Sequence, residues 1–146
     1  MNARGLPWLC VLIALFAVRD AGAEQFKAFD DVQVHYVVVN TLFLQPDVAE
    51  HYGIVRGRDR AIVNLSVLGE RGESLPARVT GLTVNLLSQE APLEFTVFRE
   101  DPAIYYIAPL RYTDQDVLRF RISVAVEGRE PMLLEFQQQM YVAAEP

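Results

Sequence analysis

The chain has 146 residues, a formal net charge of −6, 51% hydrophobic and 10% aromatic residues, and a single cysteine, Cys10. An acidic surface repels phosphate backbones and anionic lipid heads, so nucleic acid and membrane-surface partners are disfavoured. One cysteine excludes an intramolecular disulfide and a zinc site built from several thiolates, and the length suits one domain with a real core.

The first element is not part of the fold. Arg4 gives a positive start, residues 6–18 (LPWLCVLIALFAV) form an apolar stretch too short to span a bilayer, and Ala21-Gly22-Ala23 is a small-residue cleavage site. This reads as a secretory signal peptide cut after Ala23. Arg19 and Asp20 end the apolar run early and argue against an anchor. Leu6-Pro7-Trp8-Leu9 lacks the small residues that a lipid-modified Cys10 requires. Residues 24–146 are then one exported domain, free of cysteine and without a membrane span after cleavage. Such a chain suits an oxidising compartment because it has no thiol to mispair.

Residues 32–39 open with strand alternation and become apolar on both faces. Pro46 then fits a first helical position and Gly53 the residue just past a helix end. Between them Val48, Ala49 and Tyr52 share one face and Asp47, Glu50 and His51 the other, which predicts a helix of about two turns. A helix so short must pack on something. It is expected to cross from the first strand to the next and cover the outer face of the first.

Arg56, Arg58 and Arg60 follow at alternate positions, a spacing that suits a clamp on an anion. The scaffold reading is favoured. It has Arg56 satisfying carbonyls at the helix end, Arg58 free in solvent at a turn, and Asp59 neutralising part of the charge. Strands follow at 61–68, 78–87, 93–98, 103–108, 117–126 and 132–142. The run 117–126 is the clearest: Leu118, Phe120, Ile122, Val124 and Val126 alternate with Arg119, Arg121 and Ser123. In the last run Leu134, Phe136 and Met140 are expected inside, and Glu135, Gln137 and Gln139 outside. Period-two runs separated by turn residues predict an all-β fold. The expected architecture is an immunoglobulin-like antiparallel β-sandwich of about seven strands with one short crossover helix.

Little in the sequence points to catalysis. There is no G-x-S-x-G motif, and the paired carboxylates Asp30-Asp31 and Glu100-Asp101 look like turns. His35 and His51 are the only histidines. His51 suits the C-terminal end of a helix dipole, and His35 a strand rim. With Met132 and Met140 they match no metal-binding spacing, so no metal or cofactor is expected and no enzyme activity is assigned. Of Tyr105 and Tyr106, alternation sends one to each face.

Four stretches carry a resemblance: VHY (34–36), N-x-x-F-L-x-P-x-x-A-x-x-Y-G-I-V-R (40–56), R-A-x-V-N-x-S-V (60–67) and YYIAP-x-R (105–111). Together they resemble a small exported proteobacterial family catalogued as domain of unknown function 4426. The resemblance implies a periplasmic immunoglobulin-like sandwich with no assigned activity, and marks Asn40, Tyr52, Arg56 and Asn64 as its hallmark. The candidate ligand-binding set is therefore His35, Asn40, His51, Tyr52, Arg56 and Asn64. The leading expectation is a non-enzymatic module binding a protein or peptide partner in the periplasm. The alternative is a small-ligand or metal module at the crossover, using His35, His51 and Arg56.

Overall fold

A computed structural model describes residues 25–144; the expected signal peptide 1–23 and its cleavage point lie outside the described residues. Strands β1 (Gln25–Phe29), β2 (Val32–Asn40), β3 (Arg60–Leu68), β6 (Thr96–Glu100) and β7 (Ala103–Arg111) form one antiparallel sheet in the order β1-β2-β3-β7-β6. Strands β4 (Ala77–Val84), β5 (Glu90–Leu93), β8 (Val117–Val126) and β9 (Met132–Gln139) form the second, ordered β5-β4-β8-β9. A 3-10 turn (Thr41–Phe43) and helix α1 (Pro46–His51) lie between β2 and β3. With β2, β3, β7 and β6 as strands A, B, E and D, and β4, β8 and β9 as C, F and G, this is the immunoglobulin strand order with β5 as an added C′ strand.

The described residues hold nine strands against the seven expected. β1 has no apolar alternation to announce it, because its side chains are almost all exposed; it exists by pairing with β2 through a tight turn in which Asp30 takes φ 54°. The run 93–98 is two strands. Leu93 pairs with Gly81 in one sheet while Val97 pairs with Tyr106 in the other, so the chain changes sheets in the middle of an unbroken apolar pattern. The strand expected at 78–87 stops at Val84. The Asn85 side chain accepts from the backbone N–H groups of Leu87 at 3.0 Å and Gln89 at 2.9 Å, turning the chain and leaving Leu86 and Leu87 in solvent. The last strand ends at Gln139, short of the expected 142.

The core lies between the sheets and follows the expected faces. Leu118, Phe120, Ile122 and Val124 are buried while Arg119 and Arg121 are exposed. Tyr36, Phe136 and Phe120 stack through the core, with ring centroids 4.3 and 4.5 Å apart. Tyr106 is buried; its hydroxyl accepts from the Ala77 N–H at 2.8 Å and donates to the Leu75 carbonyl at 3.2 Å, so its polar tip is satisfied.

At one end of the sandwich Arg129, in the β8–β9 turn, forms a two-pronged ion pair with Asp31 of the β1–β2 turn. The hydrogen bond from Arg129 holds the Asp31 carboxyl below its usual range. A carboxyl whose folded pKa is lowered contributes stability above its unfolded value and loses it as pH falls through the folded one. Asp31→Asn is therefore expected to flatten the acid limb of the stability curve below about pH 4. Urea denaturation across that range checks this; an unchanged slope contradicts it. Both groups are exposed, so the change is small.

Candidate functional site

β3 and the second half of β2, at Val37 and Val38, are buried on both faces, so the outer face of the five-stranded sheet needs a cover there. The crossover supplies it. Pro46 stands at the first turn of α1, and the helix ends at Tyr52 and Gly53, which takes φ 65°. The Gly53 N–H donates to the Glu50 carbonyl at 3.1 Å and the Ile54 N–H to the Ala49 carbonyl at 2.8 Å. This is the Schellman pattern, and its hydrophobic partners Ala49 and Ile54 sit in one apolar cluster with Leu44, Ile62 and Ile107. The second, smaller core under α1 is thus the cover that the two-faced strand demanded.

Side-chain hydrogen bonds lock the crossover to the sheet. Asn40 caps the 3-10 turn by accepting from the Leu42 N–H at 2.9 Å. Its amide also donates to the Arg58 carbonyl at 2.8 Å and the Tyr112 hydroxyl at 2.6 Å. That hydroxyl lies 2.9 Å from the Tyr141 carbonyl and 3.2 Å from the Arg58 carbonyl, to one of which it donates. Thr41, buried, accepts from the Gly57 N–H at 2.9 Å.

The three alternating arginines do not act together. Arg56 donates to the Leu42 carbonyl at 3.2 Å, so it braces the 3-10 turn before α1 and not the helix end. Arg58 is not free in solvent. Its Nε donates to the Ala143 carbonyl at 2.7 Å, and the Ala143 N–H returns to the Arg58 carbonyl at 3.1 Å, because the segment after β9 runs back beside this turn. Asp59 pairs with Arg111 at 3.0 Å, which lowers its pKa. Arg60 alone of the three lines a groove.

That groove is the candidate site. It has a volume of about 220 Å³ and lies between the crossover and β6. Ile62, Phe98, Ile107 and Pro109 line it from the sheet, Tyr52, Ile54 and Val55 from the crossover, and Arg60 and Thr96 complete it. The sheet pairing builds the floor: Ile62 stands opposite Pro109, and Ile107 opposite Thr96. Tyr52 packs edge-on against Phe98 with centroids 4.9 Å apart. Its hydroxyl donates to Glu100 at 3.2 Å, and His51 Nε2 lies 3.5 Å from the same carboxylate. Burial, then the neighbouring Glu100 charge, pushes the Tyr52 hydroxyl above its ordinary pKa, so it stays a donor at physiological pH.

Of the six candidate residues, the structure brings His51 and Tyr52 together, joined by Glu100. His35 stacks on Phe26 of β1 at 5.1 Å and lies 3.1 Å from Gln33. Asn40 and Arg56 serve the crossover backbone. His35, His51 and Arg56, the alternative ligand set, thus have different partners. Among the described residues there is no group of three or more His, Cys, Asp or Glu side chains placed to hold a metal ion. Sequence reasoning missed Phe98 and Ile107 as site residues, and their only sequence signal was apolar character on both faces of neighbouring strands; Glu100, read with Asp101 as a turn, instead ends β6 and reaches Tyr52 and His51.

Asn64 is buried between Val37 of β2 and Ile107 of β7, and its side-chain oxygen meets no donor. An unpaired buried carbonyl costs about 1–3 kcal/mol. Asn64→Leu is therefore expected to raise stability, by about 1 kcal/mol in chemical denaturation. A loss of stability would show that the amide is satisfied in solution.

The family described as domain of unknown function DUF4426 matches residues 26–143. The chain belongs to this family. A DUF4426 family protein from Pseudomonas aeruginosa, solved by crystallography, is 34% identical, superposes with a TM-score of 0.75, and is matched over 83% of this chain and 97% of its own. Two structures of FetP from uropathogenic Escherichia coli share the fold alone. One, expressed in the periplasm, is 9% identical with a TM-score of 0.60, over 84% of this chain and 97% of FetP. The other, a copper-bound variant, is 12% identical with a TM-score of 0.55, over 85% and 98%. No curated protein matches the chain. No helix among the described residues is long and apolar enough to cross a membrane.

Proposed function

We propose that this DUF4426 protein is an exported, non-enzymatic binding module that holds an extended segment of a peptide or protein partner in the crossover groove. The observation that carries the reading is the pairing of an apolar floor with Arg60. Ile62, Phe98 and Ile107 offer a surface for an apolar side chain. The Arg60 guanidinium has no hydrogen bond or ion pair of its own among the described residues, although its charge helps to lower the pKa of Asp59. An apolar residue beside a carboxylate is the ligand chemistry that fits both. Export is supported by the charged start, apolar stretch and small-residue site before Glu24. FetP, which shares the fold, was recombinantly expressed in the periplasm.

Selection from a random peptide display library tests this. The enriched peptides are expected to share an apolar residue next to an acidic one. Arg60→Glu is expected to exchange the acidic preference for a basic one, and Ile107→Arg to abolish capture. Finding no shared pattern, or a pattern that both variants leave intact, contradicts the reading.

A further inference from the structure

A sandwich of two open sheets has four edge strands, and unpaired edges invite pairing with another chain. Three are blunted here. β1 has five residues and carries the sole lysine, Lys27; β5 has four and contains Pro92; β6 has five and carries Arg99 and Glu100. β9 is different. It has eight residues, MLLEFQQQ, with no proline, no lysine and one charge, Glu135. Leu133 on this strand is 52% exposed.

The direction of its free backbone groups follows from one bond. The Met140 N–H donates to the Asp116 carbonyl at 2.6 Å, which makes these two a hydrogen-bonded pair. Antiparallel ladders alternate, so in the β8–β9 register Leu118–Gln138, Phe120–Phe136, Ile122–Leu134 and Val124–Met132 are also hydrogen-bonded pairs. The residues between them, Leu133, Glu135, Gln137 and Gln139, therefore turn their N–H and C=O groups to the free edge.

We propose that the chain forms a symmetric homodimer by antiparallel pairing of β9 with β9 of a second copy, with the two-fold axis at Phe136. In that register Leu133 faces Gln139 of the second copy and Glu135 faces its Gln137, so all four edge-facing residues on each strand are used. Moving the axis to Glu135 or Gln137 leaves one edge-facing residue on each strand unpaired, and the former sets two Glu135 carboxylates opposite each other, which is unfavourable. The Phe136 axis also joins the cores. Phe136 is partly buried and stacks between Tyr36 and Phe120, and at the axis two such rings meet at a closely spaced, non-hydrogen-bonded position. The sandwich then has one continuous eight-stranded sheet across the pair. The edge lies in the four-stranded sheet and the groove on the outer face of the other, so either reading can fail without the other.

Sedimentation velocity over a micromolar-to-millimolar series, with protein produced from the full chain, tests the register through position 137. A monomer–dimer equilibrium is expected. Gln137→Glu, which faces Glu135 of the second copy twice, is expected to weaken the dimer by roughly 2- to 20-fold in Kd, and Gln137→Lys to tighten it by a similar factor. Within one chain Gln137 stands opposite Arg119, so the same substitutions shift monomer stability in the reverse sense, and denaturation of dilute protein separates folding from pairing. A chain that stays monomeric at millimolar concentration overturns the proposal. So does a dimer that both variants leave unchanged. Protection of β9 amides from exchange only when an extended peptide is added would assign the edge to that peptide and equally overturn it.

Discussion

Truncating Phe120 to alanine is expected to destabilise the sandwich by about 3–5 kcal/mol, the range for a large aromatic side chain removed from a packed core. Phe120 is fully buried at the centre of β8. Its ring lies nearly parallel to that of Phe136, at 7° and 4.5 Å, and Phe136 in turn stacks on Tyr36 of the opposite sheet. The cavity would open in the column of rings that joins the sheets, where β-sheet backbones collapse little. The neighbouring Arg121→Ala is the control. Arg121 is exposed and lies 3.6 Å from a half-exposed Glu135, so its loss is expected to cost under about 0.5 kcal/mol. Equal losses in urea denaturation would mean that the β8 faces are assigned the wrong way round.

Asn40→Ala is expected to cost about 2–3 kcal/mol, a large effect for a residue at a strand end. The side chain does three jobs at once: it caps the 3-10 turn, holds the Arg58 carbonyl and holds the Tyr112 hydroxyl. Alanine leaves the Leu42 N–H uncapped and removes the tie from the end of β2 to the Arg58 carbonyl, leaving Thr41 to hold the 57–60 turn. Asn40→Ser keeps an oxygen for the cap without the amide donors, and is expected to recover about 1 kcal/mol. A loss below about 0.5 kcal/mol in the alanine variant would mean that the crossover holds its place without this tie.

Where one face of a strand is buried and the other wet, the sequence was readable. β8 and β9 alternate because Arg119 and Arg121, and Glu135 and Gln137, mark the solvent face. The helix was readable because Pro46 and Gly53 each have a backbone reason to stand at its ends. β1 was hidden, since Gln25 to Ala28 are all exposed and give no contrast. The split of 93–98 was hidden because Leu93 and Val97 look alike whether they join one sheet or two.

The site was less legible than the fold, for a related reason. Tyr52 and His51 were visible as neighbours on a helix end, but their partner Glu100 comes from β6, through pairings that no local pattern states. The even spacing of Arg56, Arg58 and Arg60 suggested one shared direction. Backbone turns at 57–60 aim them at three different places. Asn64 was noticed only by resemblance; what distinguishes it physically is an amide oxygen buried without a donor.

The groove as the binding surface is tested most directly by amide chemical-shift mapping of isotope-labelled protein titrated with a peptide that pairs an apolar residue with an acidic one. The expected result is saturable shifts at Ile54, Arg60, Ile62, Thr96, Phe98 and Ile107, with the β4, β8 and β9 amides unmoved. Shifts confined to β9, or scattered without saturation over the acidic surface, would contradict it.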